Sequence, residues 1–209
     1  MAVSQPPTGR SSGSGSPDPA AVAKIAVRDR VLTTRRRRTL PERQAAAEAI
    51  AARVLALPEL GSAATVAAYV AVGSEPGTAL LLDALRERGH QVLLPVLRPD
   101  LDLDWAPYFG AASLAAAPRG LLEPSTAPLG REAVAAAGVV LVPGLAVDDA
   151  GVRLGRGGGS YDRALARVPA GALTAVLLHE DEVGVAVPAE PHDRRVRAAI
   201  TPVRVHRFG

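Results

Sequence analysis

A glycine-rich turn set between a strand and a helix constrains this chain more than any other stretch. Val139-Val-Leu-Val-Pro143 is short, apolar and β-branched, and Gly138 and Gly144 bound it, so it reads as a buried strand. Tyr161-Asp-Arg-Ala-Leu-Ala-Arg167 has helical composition and spacing, with Ser160 placed to cap its first turn. Between them Gly155, Gly157, Gly158 and Gly159 lack a Cβ and let backbone N–H groups approach a ligand closely. The helix start adds unpaired N–H donors and a positive dipole end. Arg153, Arg156 and Arg163 carry guanidinium forks that match phosphate oxygens. Asp162 offers a carboxylate oxygen of the kind a magnesium ion needs beside phosphate. These residue types point to a nucleotide phosphate cradle; a plain glycine-rich surface turn is the alternative. No Gly-Lys-Ser/Thr follows the glycines, so the turn is not a Walker loop.

The rest of the chain alternates strands with helices. Asp18 to about Arg38 has helical spacing, with Lys24 and Arg28 on one face and Ile25, Leu32 and the alanines as the opposing apolar stripe. Arg35 to Arg38 reads as a solvated helix end, with a nucleic-acid patch as the alternative. Thr39-Leu-Pro-Glu42 is a capping box opening a helix to about Leu57, its buried face being Ala46, Ile50, Val54 and Leu57. Ala63–Val70, Gln91–Pro95, Leu101–Tyr108, Ala172–Leu178 and Val196–Thr201 read as further strands, with helices near 78–88 and 131–137. His179 to Glu182 reads as a solvated acidic turn, with metal binding by its acids as the alternative, and His192 as a loop histidine rather than a metal ligand. This alternation predicts an α/β fold, a three-layer α/β/α sandwich on a Rossmann-like, mostly parallel sheet. Some connections exceed what simple crossovers need, which allows a mixed sheet. Residues 1–19, rich in Ser, Gly and Pro, read as a disordered tail, and 20–209 as one α/β domain.

Gly144-Leu-Ala-Val-Asp148 followed by Arg153-Leu-Gly-Arg-Gly-Gly-Gly-Ser-Tyr-Asp-Arg163 closely resembles the signature of the 5-formyltetrahydrofolate cyclo-ligase family. Lys24-x-x-x-Arg28, Glu75-x-x-Thr78 and Glu190-x-His-Asp193 resemble three other elements of that family, in the same order. Val27 and Ser160 depart from the common pattern without removing a charge or a glycine. The resemblance spans about residues 21–203. It implies ATP-dependent cyclisation of 5-formyltetrahydrofolate to 5,10-methenyltetrahydrofolate, with ADP and phosphate released through a phosphorylated formyl intermediate. An idle folate- or nucleotide-binding relative is the alternative.

By the same resemblance, Lys24 and Arg156 carry the catalytic charge. ATP falls to Lys24, Arg28, Arg153, Leu154, Gly155, Arg156, Gly157, Gly158, Gly159, Ser160 and Tyr161. Val70, Glu75, Arg156 and Ser160 face the folate, and Asp162 with Asp193 holds Mg2+. By residue type alone, Trp105 reads either as core or edge packing or as a flat wall against the folate rings.

The chain's 209 residues contain no cysteine, which excludes disulfides and thiolate metal sites. No apolar run of about 18 residues and no signal pattern occurs, so a cytoplasmic protein with no membrane partner is expected. The basic run lacks interleaved aromatics, so no nucleic-acid partner is expected, and the chain is expected to act as a monomer. Lys24 is the sole lysine among 24 basic residues, a position where an ammonium in particular can be wanted.

Overall fold

The computed structural model describes residues 19–190 and 193–209. The expected tail up to residue 18, and His192, lie outside the described residues. The sheet has seven strands: β1 (Thr65–Ala67), β2 (Gln91–Leu97), β3 (Leu103–Pro107), β6 (Val139–Pro143), β9 (Leu173–Leu177), β10 (Ala198–Ile200) and β11 (Val205–Arg207). Their order is β11-β10-β9-β6-β1-β2-β3. The inner strands from β10 to β2 run parallel, and both edges, β3 and β11, are antiparallel. The sheet is thus mostly parallel with mixed edges.

Inner strands buried on both faces need apolar side chains at every position. In β6, Val139 and Leu141 point to one face and Val140 and Val142 to the other, all essentially inaccessible. On the first face lie α2 (Leu40–Leu55) and α3 (Ala79–Glu87), through Ile50, Val54, Leu81, Leu82 and Leu85. Each such side chain contributes about 1.5–3 kcal/mol on burial. The opposite face carries α4 (Ser160–Leu165) and a 3₁₀ helix at Arg131–Ala136, through Ala164, Leu165 and Val134. The three expected layers are present, the second one thin. The Thr39 capping box forms as predicted, and Ala46, Ile50, Val54 and Leu57 are all buried.

The first strand is shorter than expected. It ends at Ala67 because Thr78 captures the chain beyond it: its hydroxyl donates to the Tyr69 carbonyl (2.8 Å) and accepts from the Ala71 N–H (2.9 Å). Two small antiparallel ribbons were not anticipated. One pairs β4 (Leu114–Ala117) with β5 (Leu121–Pro124) across a Pro118-Arg119-Gly120 turn, and the other pairs β7 (Ala146–Val147) with β8 (Arg153–Leu154).

The first helix, α1 (Pro19–Arg36), corrects the sequence reading most sharply. Its buried residues are Lys24, Val31 and Arg35, whereas Ile25 is 55% exposed. The face carrying Lys24 and Arg35, not the Ile25 stripe, is the one that docks. Arg35 is fully buried: Nε and Nη2 donate to the two Glu182 oxygens (2.7 Å each), and Nη2 also donates to the Gly144 carbonyl (2.8 Å). Arg38 pairs with Asp181. The run is therefore not simply a solvated helix end, and His179 and Glu182, both buried, are not a solvated turn. A polar face packs inward here because its charges meet opposite charges and a carbonyl with charge-assisted geometry.

Burial pushes His179 down to about 4, with Arg38 and Arg35 adding to the shift and Asp181 opposing it. The unfolded chain, titrating near 6.5, takes up the proton first, so stability from this group is intact above pH 6.5 and falls as pH drops toward 4. His179→Asn keeps a capping acceptor and cannot titrate. Denaturant melts of this variant are expected to lose about 2 kcal/mol less than the parent between pH 7 and pH 4.5.

Candidate functional site

The glycine turn leaves the carboxyl side of the sheet. β6 runs into the β7–β8 ribbon, and β8 delivers Arg153 and Leu154 directly into Gly155–Gly159. Gly157 (φ 103°) and Gly159 (φ 66°) occupy left-handed backbone, which L side chains rarely adopt. Gly159 is the residue capping α4, and Ser160 is the helix's first residue. Ser160 was expected as the cap; the left-handed glycine takes that position and leaves the Ser160 side chain on the cavity wall.

A cavity of about 490 Å3 opens beside this turn. Lys24, Arg28, Val70, Glu75, the whole Arg153–Asp162 segment and Asp193 line it. Residues remote in sequence are thereby brought to one wall. Arg28 Nε donates to the Gly155 carbonyl (3.0 Å), tying α1 to the turn. Arg156 pairs with Glu75 (3.1 Å), whose other carboxylate oxygen accepts from the Val72 N–H (3.0 Å). Lys24 pairs with Glu190 and with Asp193 (3.0 Å). Burial works against the Lys24 charge, and the two carboxylates outweigh it, holding the ammonium above the usual lysine range.

Arg153 is nearly buried. Its fork donates to the Pro143 carbonyl (3.0 Å) and to both Asp162 oxygens (3.3 Å), and its guanidinium lies 5.8 Å from the Tyr161 ring centre. Burial, with the Glu75 charge, raises the Tyr161 hydroxyl well above its usual range, so it stays protonated. Arg163 turns away from the cavity and donates to the carbonyls of Leu101 (2.6 Å) and Gly158 (3.1 Å). Much of the remaining lining is apolar, from Val70, Val72, Leu97, Leu101 and Leu103, and the β4–β5 ribbon adds Arg119, Leu121, Leu122 and Glu123.

Trp105 is the expected site residue that the fold sets elsewhere. It is fully buried among Leu93, Val140 and Val142, and it does not line the cavity. It points inward from β3, so its area stabilises the core.

A profile of the 5-formyltetrahydrofolate cyclo-ligase family matches residues 20–202. The chain belongs to this family. A 5-formyltetrahydrofolate cyclo-ligase of Mycolicibacterium smegmatis is 46% identical over 175 residues, 80% of this chain and 89% of the relative. The Escherichia coli K12 protein of that name is 30% identical over 189 residues, 84% and 98% of the two chains. The NMR structure of Aquifex aeolicus 5,10-methenyltetrahydrofolate synthetase superposes with a TM-score of 0.76 at 26% identity, covering 88% of this chain and 92% of the other. A synthetase from Mycoplasma pneumoniae shares the fold at 18% identity, with a TM-score of 0.69 over 86% and 98% of the chains.

Within this cyclo-ligase, Asp162 and Asp193 line the same cavity, and the N–H of Arg194 donates to Asp162 Oδ1 (3.2 Å). Among the described residues no group of three or more His, Cys, Asp or Glu forms a metal cage. A pair of carboxylates suits Mg2+ nonetheless, because that ion keeps several waters and takes oxygens from nucleotide phosphates.

Two cavity features were missed from sequence. Glu190 joins Asp193 on Lys24, and the acid three residues before Asp193 was a signal for it. Arg119 sits at φ 64° on the ribbon turn, where Pro118 and Gly120 mark a turn but nothing marks the cavity. No helix among the described residues is long and apolar enough to cross a membrane.

Proposed function

We propose that this protein uses ATP to cyclise 5-formyltetrahydrofolate to 5,10-methenyltetrahydrofolate, releasing ADP and phosphate. The observation that carries this reading is a single cavity lined both by the glycine turn with its guanidiniums and by a set of apolar side chains, with Glu75 among them. The first suits a polyphosphate and the second a reduced pterin.

An amide oxygen is a poor nucleophile, and its carbon gives it up unwillingly. Alignment against a charge-neutralised γ-phosphate eases the first difficulty, and phosphorylation solves the second. The formyl oxygen attacks the γ-phosphorus, the bond to ADP breaks, and an imidate phosphate forms on N5. N10 then bonds to the formyl carbon, the C–O bond breaks, and phosphate departs with the former formyl oxygen. The N10 proton passes to the departing phosphate, so no dedicated side-chain base is required.

The chain's part is alignment and charge. Backbone N–H groups of Gly155 to Gly159 cradle the phosphates, and Lys24, Arg28 and Arg156 neutralise negative charge on the transferring oxygens. Arg153 aims Asp162 through their ion pair while the carbonyl of Pro143 fixes its own fork. Asp162 and Asp193 would hold the Mg2+ that accompanies ATP, which when bound screens the phosphate charge. Val70 and the neighbouring apolar side chains exclude water from the pterin, and Glu75 meets its polar edge. ATP draws Lys24 from Glu190 and Asp193, so nucleotide and metal each favour the other's binding. Action as a monomer in the cytoplasm belongs to the same reading, and a chain without cysteine asks for no oxidising compartment.

Mixing purified protein with 5-formyltetrahydrofolate, Mg2+ and ATP is expected to raise the absorbance of the methenyl product, with one ADP formed per turnover. A rise that proceeds without ATP, or no rise at all, rejects the proposal.

A further inference from the structure

The contacts of α1 raise the question of what holds Lys24 and Arg28 in place. Lys24, Arg28, Val31 and Arg35 follow one another at helical spacing, so they share a face. Apolar packing on this helix is meagre: Val22 is 48% and Ile25 55% exposed, and Val31 is its one buried apolar side chain among the described residues. Its firmest anchor is Arg35, fully buried at the end away from Lys24. The Arg35 fork reaches two separate parts of the cavity's frame, the Glu180–Glu182 turn after β9 and the Gly144 carbonyl after β6. Glu182 is fixed in turn by the His179 N–H (2.9 Å). A planar fork held at three oxygens restricts rotation of the helix about its own axis as well as its depth. A rotation of about 20° would carry a side-chain tip at the helix surface by about 2 Å, beyond the tolerance of phosphate alignment.

We propose that Arg35 and Glu182 are positioning residues whose buried pair sets the rotation and depth of α1 and so aims Lys24 and Arg28 at the phosphate wall. This rests on the ATP-binding reading given above.

The double variant Arg35→Met, Glu182→Met removes both charges together, which cores commonly tolerate better than loss of one partner. Its Tm is expected to stay close to the parent's, while the KM and the calorimetric Kd for ATP rise about 10-fold or more and the KM for 5-formyltetrahydrofolate moves less than twofold. Arg35→Lys, a point charge without a fork, is expected not to restore ATP affinity. A double variant that binds ATP as tightly as the parent overturns the proposal.

The cysteine-free chain allows a second arm. Spin labels at Ile25→Cys on α1 and Leu80→Cys on α3, both exposed, report the placement of α1 directly. Glu182→Gln, which preserves size and an acceptor should the double variant fail to fold, is expected to broaden or shift the label distance. An unchanged distribution overturns the proposal, whether or not ATP binds. A parent protein that fails to bind ATP defeats the functional reading, and the label distances then still decide the role of Arg35.

Discussion

Arg156→Ala is expected to lower kcat/KM for cyclisation at least about 100-fold, mainly through kcat, with little change in Tm. Arg156 is 56% exposed in its side chain, and its partner Glu75, 7% exposed, keeps the Val72 N–H when Arg156 is gone, which limits the cost to folding. Its value lies in the reaction. In the proposed reaction the γ-phosphoryl group would pass from ADP to the formyl oxygen with charge spread over three oxygens, and a guanidinium in the cavity would meet it without reorganising solvent. Removal of one such contact costs about 2.7–4 kcal/mol of transition-state stabilisation. Arg156→Lys keeps the charge but not the fork and should recover only part of the rate. Near-normal turnover in Arg156→Ala would remove this residue from the mechanism, and with it the strongest sequence argument for the glycine turn.

Lys24→Met should produce two effects of opposite sign. ATP binding is expected to weaken about 10- to 100-fold, the loss associated with a charge-assisted hydrogen bond to phosphate. Mn2+ titrated without nucleotide is expected to bind more tightly than to the parent, because the ammonium that pairs with Glu190 and Asp193 is gone. Calorimetry reads both, with melting curves to confirm that the variant is folded. A variant that loses ATP affinity and gains nothing for the metal would show that these carboxylates serve only to hold the helix.

The elements legible from sequence were those whose local pattern and tertiary setting agree. α2 announced itself through the Thr39 box and the spacing of Ile50 and Val54, and both signals survive packing. β6 was legible because a parallel strand buried on both faces needs an unbroken apolar run. The glycine turn was legible as a turn, since glycines at Gly157 and Gly159 supply the left-handed backbone that carries the chain along the cavity into α4.

α1 was misread because periodicity assumes that apolar faces turn inward. Here Arg35 meets Glu182 and Gly144, over 100 residues away in each case, and no local signal encodes those partners. At Trp105 the choice between core packing and a wall for the folate rings turned on a related matter. Scarcity of aromatics in the composition says nothing about which face of β3 a side chain takes, and that face meets Leu93 and Val142. The β4–β5 ribbon escaped notice because Leu114–Ala117 is nearly all alanine, a poor advertisement for a strand.

The contact between Lys24 and Asp193 spans 169 positions of sequence. During synthesis the glycine turn emerges from the ribosome before the carboxylates that complete its surroundings. A nascent chain stopped at Leu178 already contains every glycine of the turn but neither Glu182, which anchors α1, nor the acids that meet Lys24. Nucleotide capture should therefore switch on late and abruptly as the last strands are released. Separately expressed halves divided between α3 and β6 should be inert alone and active only when mixed.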